Sequence, residues 1–277
     1  MRNEASALSP VDLSVVIPAF NESERLPRSL PEILRYFAEQ PYDAEIVLVD
    51  DGSADGTFDA ICELAALAPI PVTAARYAPN QGKGHALKAG FELSRGRRVL
   101  FCDADLSTPV EETERLLAVL EQGTPVVIGS RKMPGASIEV HQPWLRESMG
   151  KVFTALARRL AADVSDTTCG FKLFDGEVGR DLFARVRVFD WSFDAEVLLL
   201  ARLGGHRIHE VPVRWHDERD TKVRLFRDAV QALLGLIRIR LNALRGRYRG
   251  AAPTRVPLEV RRFEPEDATV KSRQAYS

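Results

Sequence analysis

Short apolar runs alternate with stretches of helical spacing through the first half of this chain. Leu13–Ile17, Glu45–Val49, Arg98–Cys102 and Val126–Gly129 are near-continuous, mostly β-branched or aromatic runs and predict strands, with a weaker one at Pro71–Arg76. Between them, Ser23–Glu39 sets Leu26, Leu30, Ile33, Leu34 and Phe37 on one stripe, and Thr57–Leu67 does the same with Phe58, Ile61, Leu64 and Ala65. Gly84–Ser94 and Val110–Leu120 complete the helical set. Strand and helix in strict alternation imply parallel strands joined by helical crossovers, hence an α/β fold with a nucleotide-binding half.

The second half is less regular. Arg146–Ala162 and Phe193–Leu203 read as helices, and Phe171–Phe174 as a strand. Arg207–Trp215 alternates Ile208, Val211, Val213 and Trp215 imperfectly, and Pro212 assigns it to a sheet edge or a strand end. Arg224–Leu244 predicts a long helix with Val223, Phe226, Val230, Leu233, Leu234, Ile237, Leu241 and Leu244 on one face. From Gly250 the chain turns polar and reads as a flexible tail. No internal repeat or separating linker is visible, so the chain divides into a main domain over 12–222, a basic amphipathic helix over 223–249 and a tail over 250–277.

A net charge of −1 over 277 residues speaks against a nucleic-acid-binding surface. The balance hides an asymmetry. Lys222–Arg249 holds eight Lys or Arg against one acid, Asp228, so this segment seeks an anionic surface. Cys62, Cys102 and Cys169 lack disulfide or metal-ligand spacing and read as reduced core cysteines of a cytosolic protein. The polar first ten residues predict no secretory leader, and no apolar run is long enough to span a bilayer.

The candidate chemistry sits where strands end. Asp103-Ala104-Asp105 follows the run Val99–Cys102, and Asp50-Asp51 follows Ile46–Val49. Ligands of open α/β sheets bind beyond the carboxyl ends of strands, so both acidic pairs are expected to face one crevice. Paired carboxylates suit a hard cation, Mg²⁺ or Mn²⁺, which commonly arrives with phosphate. Together they suggest a nucleoside-diphosphate site. Asp50 and Asp51 suit hydrogen bonds to a base N–H and ribose hydroxyls, with Asp51 the better candidate; Asp55 reads as a helix cap. Pro18-Ala19-Phe20-Asn21-Glu22 offers backbone and Glu22 to a nucleotide, or is an ordinary strand-to-helix turn with Asn21 or Ser23 as N-cap. Asn80-Gln81-Gly82-Lys83-Gly84 opens a helix and can cradle phosphate, although it is no Walker A loop. Asp166–Phe174 and Phe189–Glu196 set acids beside aromatics, as a sugar pocket would, or as helix caps beside core residues would.

As an ordered set these motifs resemble the inverting family-2 glycosyltransferases of GT-A fold. The resemblance is carried by Val15-Val16-Ile17-Pro18-Ala19-Phe20-Asn21-Glu22, Val49-Asp50-Asp51-Gly52-Ser53, Asn80–Ala86, Asp103-Ala104-Asp105, Gly129-Ser130-Arg131 and Asp166–Phe174. It covers residues 12–226. Within the family, Asp166–Phe174, Phe193-Asp-Ala-Glu196 and Glu210-Val-Pro-Val-Arg-Trp215 point to the dolichyl-phosphate β-glucosyltransferase branch more than to the mannosyl branch. The resemblance implies a mixed, mostly parallel sheet flanked by helices. It implies that Pro18, Phe20, Glu22 and Asp51 hold a uridine, and that Asp103 and Asp105, with Ala104 between them, hold ribose and the metal-bound diphosphate. Lys83 joins this donor surface, and Arg131 and Lys222 lie near the acceptor phosphate, Lys222 also near the donor. The segment Asp220-Thr221-Lys222-Val223 departs from the Gly-Ser-Lys-Leu that relatives often carry.

The chemistry these residues suit is transfer of a hexose from a nucleoside diphosphate. A metal on Asp103 and Asp105 and a basic residue such as Lys222 offset charge on the departing diphosphate. A hydroxyl acceptor needs a general base, whereas a phosphate monoester is already an oxyanion at neutral pH. Asp194 is the candidate base where one is used, with Glu196 and Asp166 weaker choices; Asp105, Asp194 and Arg131 form the expected catalytic set. The expected reaction moves glucose from UDP-glucose to a polyprenyl phosphate at the cytosolic membrane face, with the basic helix lying in the headgroup region. The alternatives are GDP-mannose as donor or a saccharide hydroxyl as acceptor. A sugar-1-phosphate nucleotidyltransferase would show a glycine-rich basic loop after the first strand, where Pro18-Ala-Phe-Asn-Glu22 stands instead. A non-catalytic membrane module would tolerate loss of Asp105.

Overall fold

β1 (Leu13–Ala19) and β2 (Ala44–Asp50) are buried at every position, as befits parallel strands covered on both faces. The computed structural model describes residues 11–138, 156–160, 162–216, 225–252 and 256–265. The further strands are β3 (Val72–Arg76), β4 (Arg98–Cys102), β5 (Val126–Ser130), β6 (Ser137–Ile138), β7 (Phe171–Asp175), β8 (Ile208–Pro212), β9 (Arg214–Trp215) and β10 (Glu259–Phe263). The helices are α1 (Leu26–Ala38), α2 (Thr57–Ala65), α3 (Lys83–Leu93), α4 (Glu112–Leu120), α5 (Gly176–Arg185), α6 (Phe193–Leu203) and α7 (Leu225–Leu244).

Eight strands form one sheet in the order β10-β3-β2-β1-β4-β7-β5-β8, and β6 pairs with β9 beside it. The sheet is mixed but mostly parallel: β7 runs antiparallel between β4 and β5, and β10 runs antiparallel along β3. Alternate residues of each strand enter opposite layers. Val15, Ile17, Ile46, Leu48 and Leu100 pack with Leu30, Ile33, Phe37, Phe58, Ile61 and Leu116 of α1, α2 and α4. Val16, Val47, Val99 and Phe101 pack with Phe91, Phe183, Phe193 and Leu198 of α3, α5 and α6. A helix–sheet–helix sandwich results, and the strand ends that carry the acidic motifs open on one rim.

Several expectations are corrected by the sheet. β1 continues through Pro18 to Ala19. Its pairing with β4 stops at Val16↔Phe101, so on that side no ladder bond is asked of a residue lacking an N–H. Asn21 and Ser23 do not cap α1, whose N-cap is Arg25 without a side-chain bond. Instead the Asn21 carboxamide oxygen accepts from Ala54 N–H, and Ser23 donates to Asp55, so both tie the first loop to the second. Asp55 also accepts from Thr57 N–H at the start of α2. The segment 250–277 is not a free tail throughout: Glu259–Phe263 forms β10, held by Arg76–Glu259 at 2.7 Å and by Arg76 and Arg261 over the Phe58 ring. Its alternation of Leu258, Val260 and charged residues suits the edge that β3 would otherwise leave open. Of the helix expected over Arg146–Ala162, residues 156–160 are helical and most of the rest lies outside the described residues, as does Lys222.

Candidate functional site

Four loops leave the carboxyl ends of β1, β2, β3 and β4, and Asp51 ties the first three together. Its backbone N–H bonds Ala19 O at 2.8 Å, fixing the first loop to the second. Its carboxylate, 3% exposed, accepts from Tyr77 Oη at 2.7 Å, Asn80 Nδ2 at 2.8 Å, Gln81 N at 2.8 Å and Gly82 N at 2.9 Å. Burial pushes this carboxyl up despite those donors. The loop between β3 and α3 is thereby nailed to the end of β2, which sets the position of Lys83 at the first residue of α3.

Lys83 reaches Asp103 Oδ1 at 2.5 Å, with its ammonium 5.0 Å from the centre of the Phe101 ring. Burial alone would lower this lysine, but Asp103, Asp194 and Asp105 outweigh it and raise it. Asp103 is pushed up by burial, partly offset by Lys83. Asp105 accepts from Ser107 N–H at 2.9 Å. The opposite wall of Asp103 is Gly170, where an added Cβ would overlap the carboxylate, so the Cys169-Gly170 turn must lack a side chain for Asp103 to stand as it does.

Asp194, at the start of α6, is paired with Lys172 of β7, a lysine 1% exposed that also donates to Cys169 O at 2.6 Å and lies 5.3 Å from the Phe101 ring centre. Sequence reasoning gave Lys172 no role; the signal was a lone charge inside the apolar strand Phe171-Lys-Leu-Phe174. Phe101 thus lies between two ammonium groups, and around it stand three carboxylates, Asp103, Asp105 and Asp194. Two adjacent carboxylates, one of them destabilised by burial, fit a divalent cation completed by phosphate oxygens and water. Among the described residues no three His, Cys, Asp or Glu side chains converge on one point. His216, just after β9, is tied to the loop after β4, its backbone N–H donating to Ser107 O at 2.8 Å.

Arg131, at the end of β5, donates its backbone N–H at 3.0 Å, Nε at 2.7 Å and Nη2 at 2.9 Å to Asp166, and lies 5.3 Å from the Trp215 ring centre. Its side chain is 20% exposed, so one edge is left for a ligand. Burial would raise Asp166, but the guanidinium holds it well below the usual carboxylate range. The Asp166 loop is in turn fixed by Glu210 of β8, which accepts from Ser165 N at 2.7 Å, Ser165 Oγ at 2.6 Å and Asp166 N at 3.1 Å.

Not every expected residue reaches the crevice. Adjacent residues at a strand end point to opposite sides, and Asp50 turns to Ser53 and lines a recess of about 420 Å³ with Phe58, Arg76, Tyr77 and Glu259; Lys83, Asp103 and Asp105 are not among its walls. Phe20 is 39% exposed, an open aromatic surface, and Glu22 bonds Arg25 at 2.8 Å. Asp166 and Glu196, the weaker candidates for a base, are both fully buried. Glu196 accepts from Arg187 N at 2.9 Å, Val188 N at 2.8 Å and Tyr248 Oη.

Burial pushes the Glu196 carboxyl up to about 7 against those hydrogen bonds, from an ordinary value of 4.5. The folded state therefore binds this proton more tightly than the unfolded chain. Its contribution is complete below the unfolded value and is lost as pH rises through the folded one. Urea unfolding is expected to show roughly 2–3 kcal/mol less stability at pH 8 than at pH 5 from this group, with a flatter profile in Glu196→Gln. An unchanged profile in that variant would assign the pH dependence elsewhere.

Known proteins resemble this chain in sequence and in fold. The sequence model described as Glycosyl transferase family 2 matches residues 14–183. A dolichyl-phosphate beta-glucosyltransferase of Dictyostelium discoideum is 31% identical over 253 residues, covering 86% of this chain and 77% of that protein. The one from Saccharomyces cerevisiae is 32% identical over 266 residues, covering 89% and 79%. Among solved structures, glucosyl-3-phosphoglycerate synthase of Mycobacterium tuberculosis in complex with Mn²⁺ and UDP-glucose superposes with a TM-score of 0.60 at 19% identity, covering 83% of this chain and 79% of that one.

Proposed function

Given that this chain belongs to glycosyl transferase family 2 and is a glycosyltransferase of GT-A fold, we propose that it moves glucose from UDP-glucose to a polyprenyl phosphate with inversion, at the cytosolic face of a membrane. The observation that carries the glucosyl and prenyl part is the breadth of the match. Relatives named dolichyl-phosphate beta-glucosyltransferase align over 86–89% of the chain, well past residue 183 where the family match ends. The uridine and glucose parts draw support from the structural neighbour bound to UDP-glucose.

In this reading the base lies on the Phe20 side, against the loop that Asp51 organises, and the diphosphate lies between Lys83 and the Asp103–Asp105 pair. A Mg²⁺ or Mn²⁺ held by Asp103 and Asp105 would supply charge neutralisation for the departing UDP. Lys83 releases Asp103 to that task and turns its ammonium toward the diphosphate, adding to the stabilisation of the leaving oxygen. On the other side, Asp194 has one oxygen engaged by Lys172, and Asp166 and Glu196 are sealed in. An acceptor that arrives as an oxyanion needs none of them as a base. The free edge of Arg131 then orients the acceptor phosphate for attack on the anomeric carbon from the face opposite UDP.

The test is a donor screen with detergent-solubilised polyprenyl phosphate, reading hexosyl-phosphoprenol by mass spectrometry. Product is expected from UDP-glucose and not from GDP-mannose. Product from GDP-mannose alone would transfer the reading to mannose, and UDP release that speeds up only with a soluble sugar would remove the lipid acceptor.

A further inference from the structure

Among the described residues, α7 has two apolar faces and packs one of them. Leu236 and Ile239 are buried against Ala195 and Leu199 of α6. On the other side Leu233, Leu234, Ile237, Leu241 and Leu244 are 41–72% exposed. Of the nine large apolar side chains exposed among the described residues, five lie on this helix, so the patch is concentrated rather than scattered. Arg238, Arg240, Arg245, Arg247 and Arg249 are exposed around it, and the sequence has no acid between Asp228 and Glu259. A shallow recess of about 350 Å³ at the helix end is walled by Leu244, Arg245, Gly246 and Arg249.

This charge pattern selects the occupant. A second copy of the chain would set arginines against arginines around the apolar strip. An anionic lipid surface meets both halves, taking the leucines at the acyl boundary and the guanidinium groups among headgroup phosphates. The helix also touches the catalytic rim. Gly235 packs so closely on the 190–192 loop that a Cβ there would overlap Ser192 Oγ. Trp191 in that loop is 48% exposed beside the helix. Asp194 is three residues after Trp191, and Phe189 O of the same loop accepts from Gly84 N at 3.2 Å, next to Lys83.

We propose that the outer face of α7, with Trp191 beside it, docks on an anionic bilayer and holds the rim of the catalytic crevice at the headgroup layer. A prenyl phosphate then meets Arg131 and Asp194 without leaving the membrane surface. The docking rests on the lipid-acceptor reading only for its purpose, since it is measured with neither donor nor acceptor present.

The experiment is sedimentation of the whole chain with phosphatidylcholine vesicles, with and without phosphatidylglycerol. The wild-type chain is expected to sediment with the anionic vesicles only. L234E/I237E and R238Q/R245Q are each expected to weaken binding roughly tenfold or more, with unchanged melting and unchanged transfer to detergent-solubilised polyprenyl phosphate. A wild-type chain that stays in the supernatant, or sediments equally with neutral vesicles, overturns the proposal, as does full binding by both folded variants. Loss of transfer in detergent by the wild type would count against the proposed function and leave the docking result standing.

Discussion

Asp105→Ala is expected to lower transfer by a thousandfold or more, about 4 kcal/mol of transition-state stabilisation, while leaving the fold in place. The asymmetry follows from what Asp105 touches. Among the described residues it accepts a hydrogen bond from Ser107 N–H at 2.9 Å, a bond worth about 1 kcal/mol to stability, or roughly 2–4 °C for a chain of this size. Its neighbour differs. Asp103 is bound to Lys83 and pressed against Gly170, so Asp103→Ala is expected to cost activity and stability together by taking the ion-pair partner from the partly buried Lys83 ammonium. Turnover measured as UDP release, beside melting temperatures of both variants, separates the two. An Asp105→Ala protein that melts normally and turns over at the wild-type rate would leave the chain as a non-catalytic module.

Removing Asp166 should be the most damaging change to the fold among the site residues. Asp166→Ala strips Arg131 of three hydrogen bonds at a position where the guanidinium keeps only an edge in solvent. A buried pair broken from one side costs about 3 kcal/mol or more, because the surviving charge is left without a partner, and melting should fall by roughly 10 °C. The double variant R131L/D166L is expected to melt above the single Asp166→Ala, since two charges leave together. Transfer would be lost in both, Arg131 being displaced in one and absent in the other. A double variant less stable than either single change would refute the clamp as described.

How much of this was legible in the sequence depended on range. Phe193–Leu203 and Arg98–Cys102 form elements at the boundaries their spacing predicts, because periodicity reports which face each side chain must bury within a few residues. The acidic motifs fell at strand ends for the same local reason. What spacing does not encode is which distant partner a segment meets. Pro18 reads as a stop until the short reach of β4 is known. Glu259–Phe263 reads as a tail until the free edge of β3 is known. Lys172 reads as a stray charge until Asp194 is placed opposite it. Asp50 and Asp51 are neighbours in sequence, yet the pleat sends one to a separate recess and the other to the junction of the loops around β2 and β3. Gly170 stands in sequence as one residue of the Asp166–Phe174 stretch, whereas its constraint is the carboxylate of Asp103.

The insertion of β7 between β4 and β5 has a consequence for the order in which the chain can assemble. The strands ending in Asp103 and Arg131 are both complete by residue 130, but each has its ladder partner in Phe171–Asp175. Until that segment joins them, β4 presents an open hydrogen-bonding edge beside Val99 and Phe101, an invitation to pair with another chain. Such non-local closure slows folding and prolongs exposure of the edge. A fragment cut after residue 130 would therefore be a sticky intermediate rather than a nucleotide-binding domain. The Asp103 and Arg131 sides of the crevice are born separately in synthesis and are joined only when β7 zips between them.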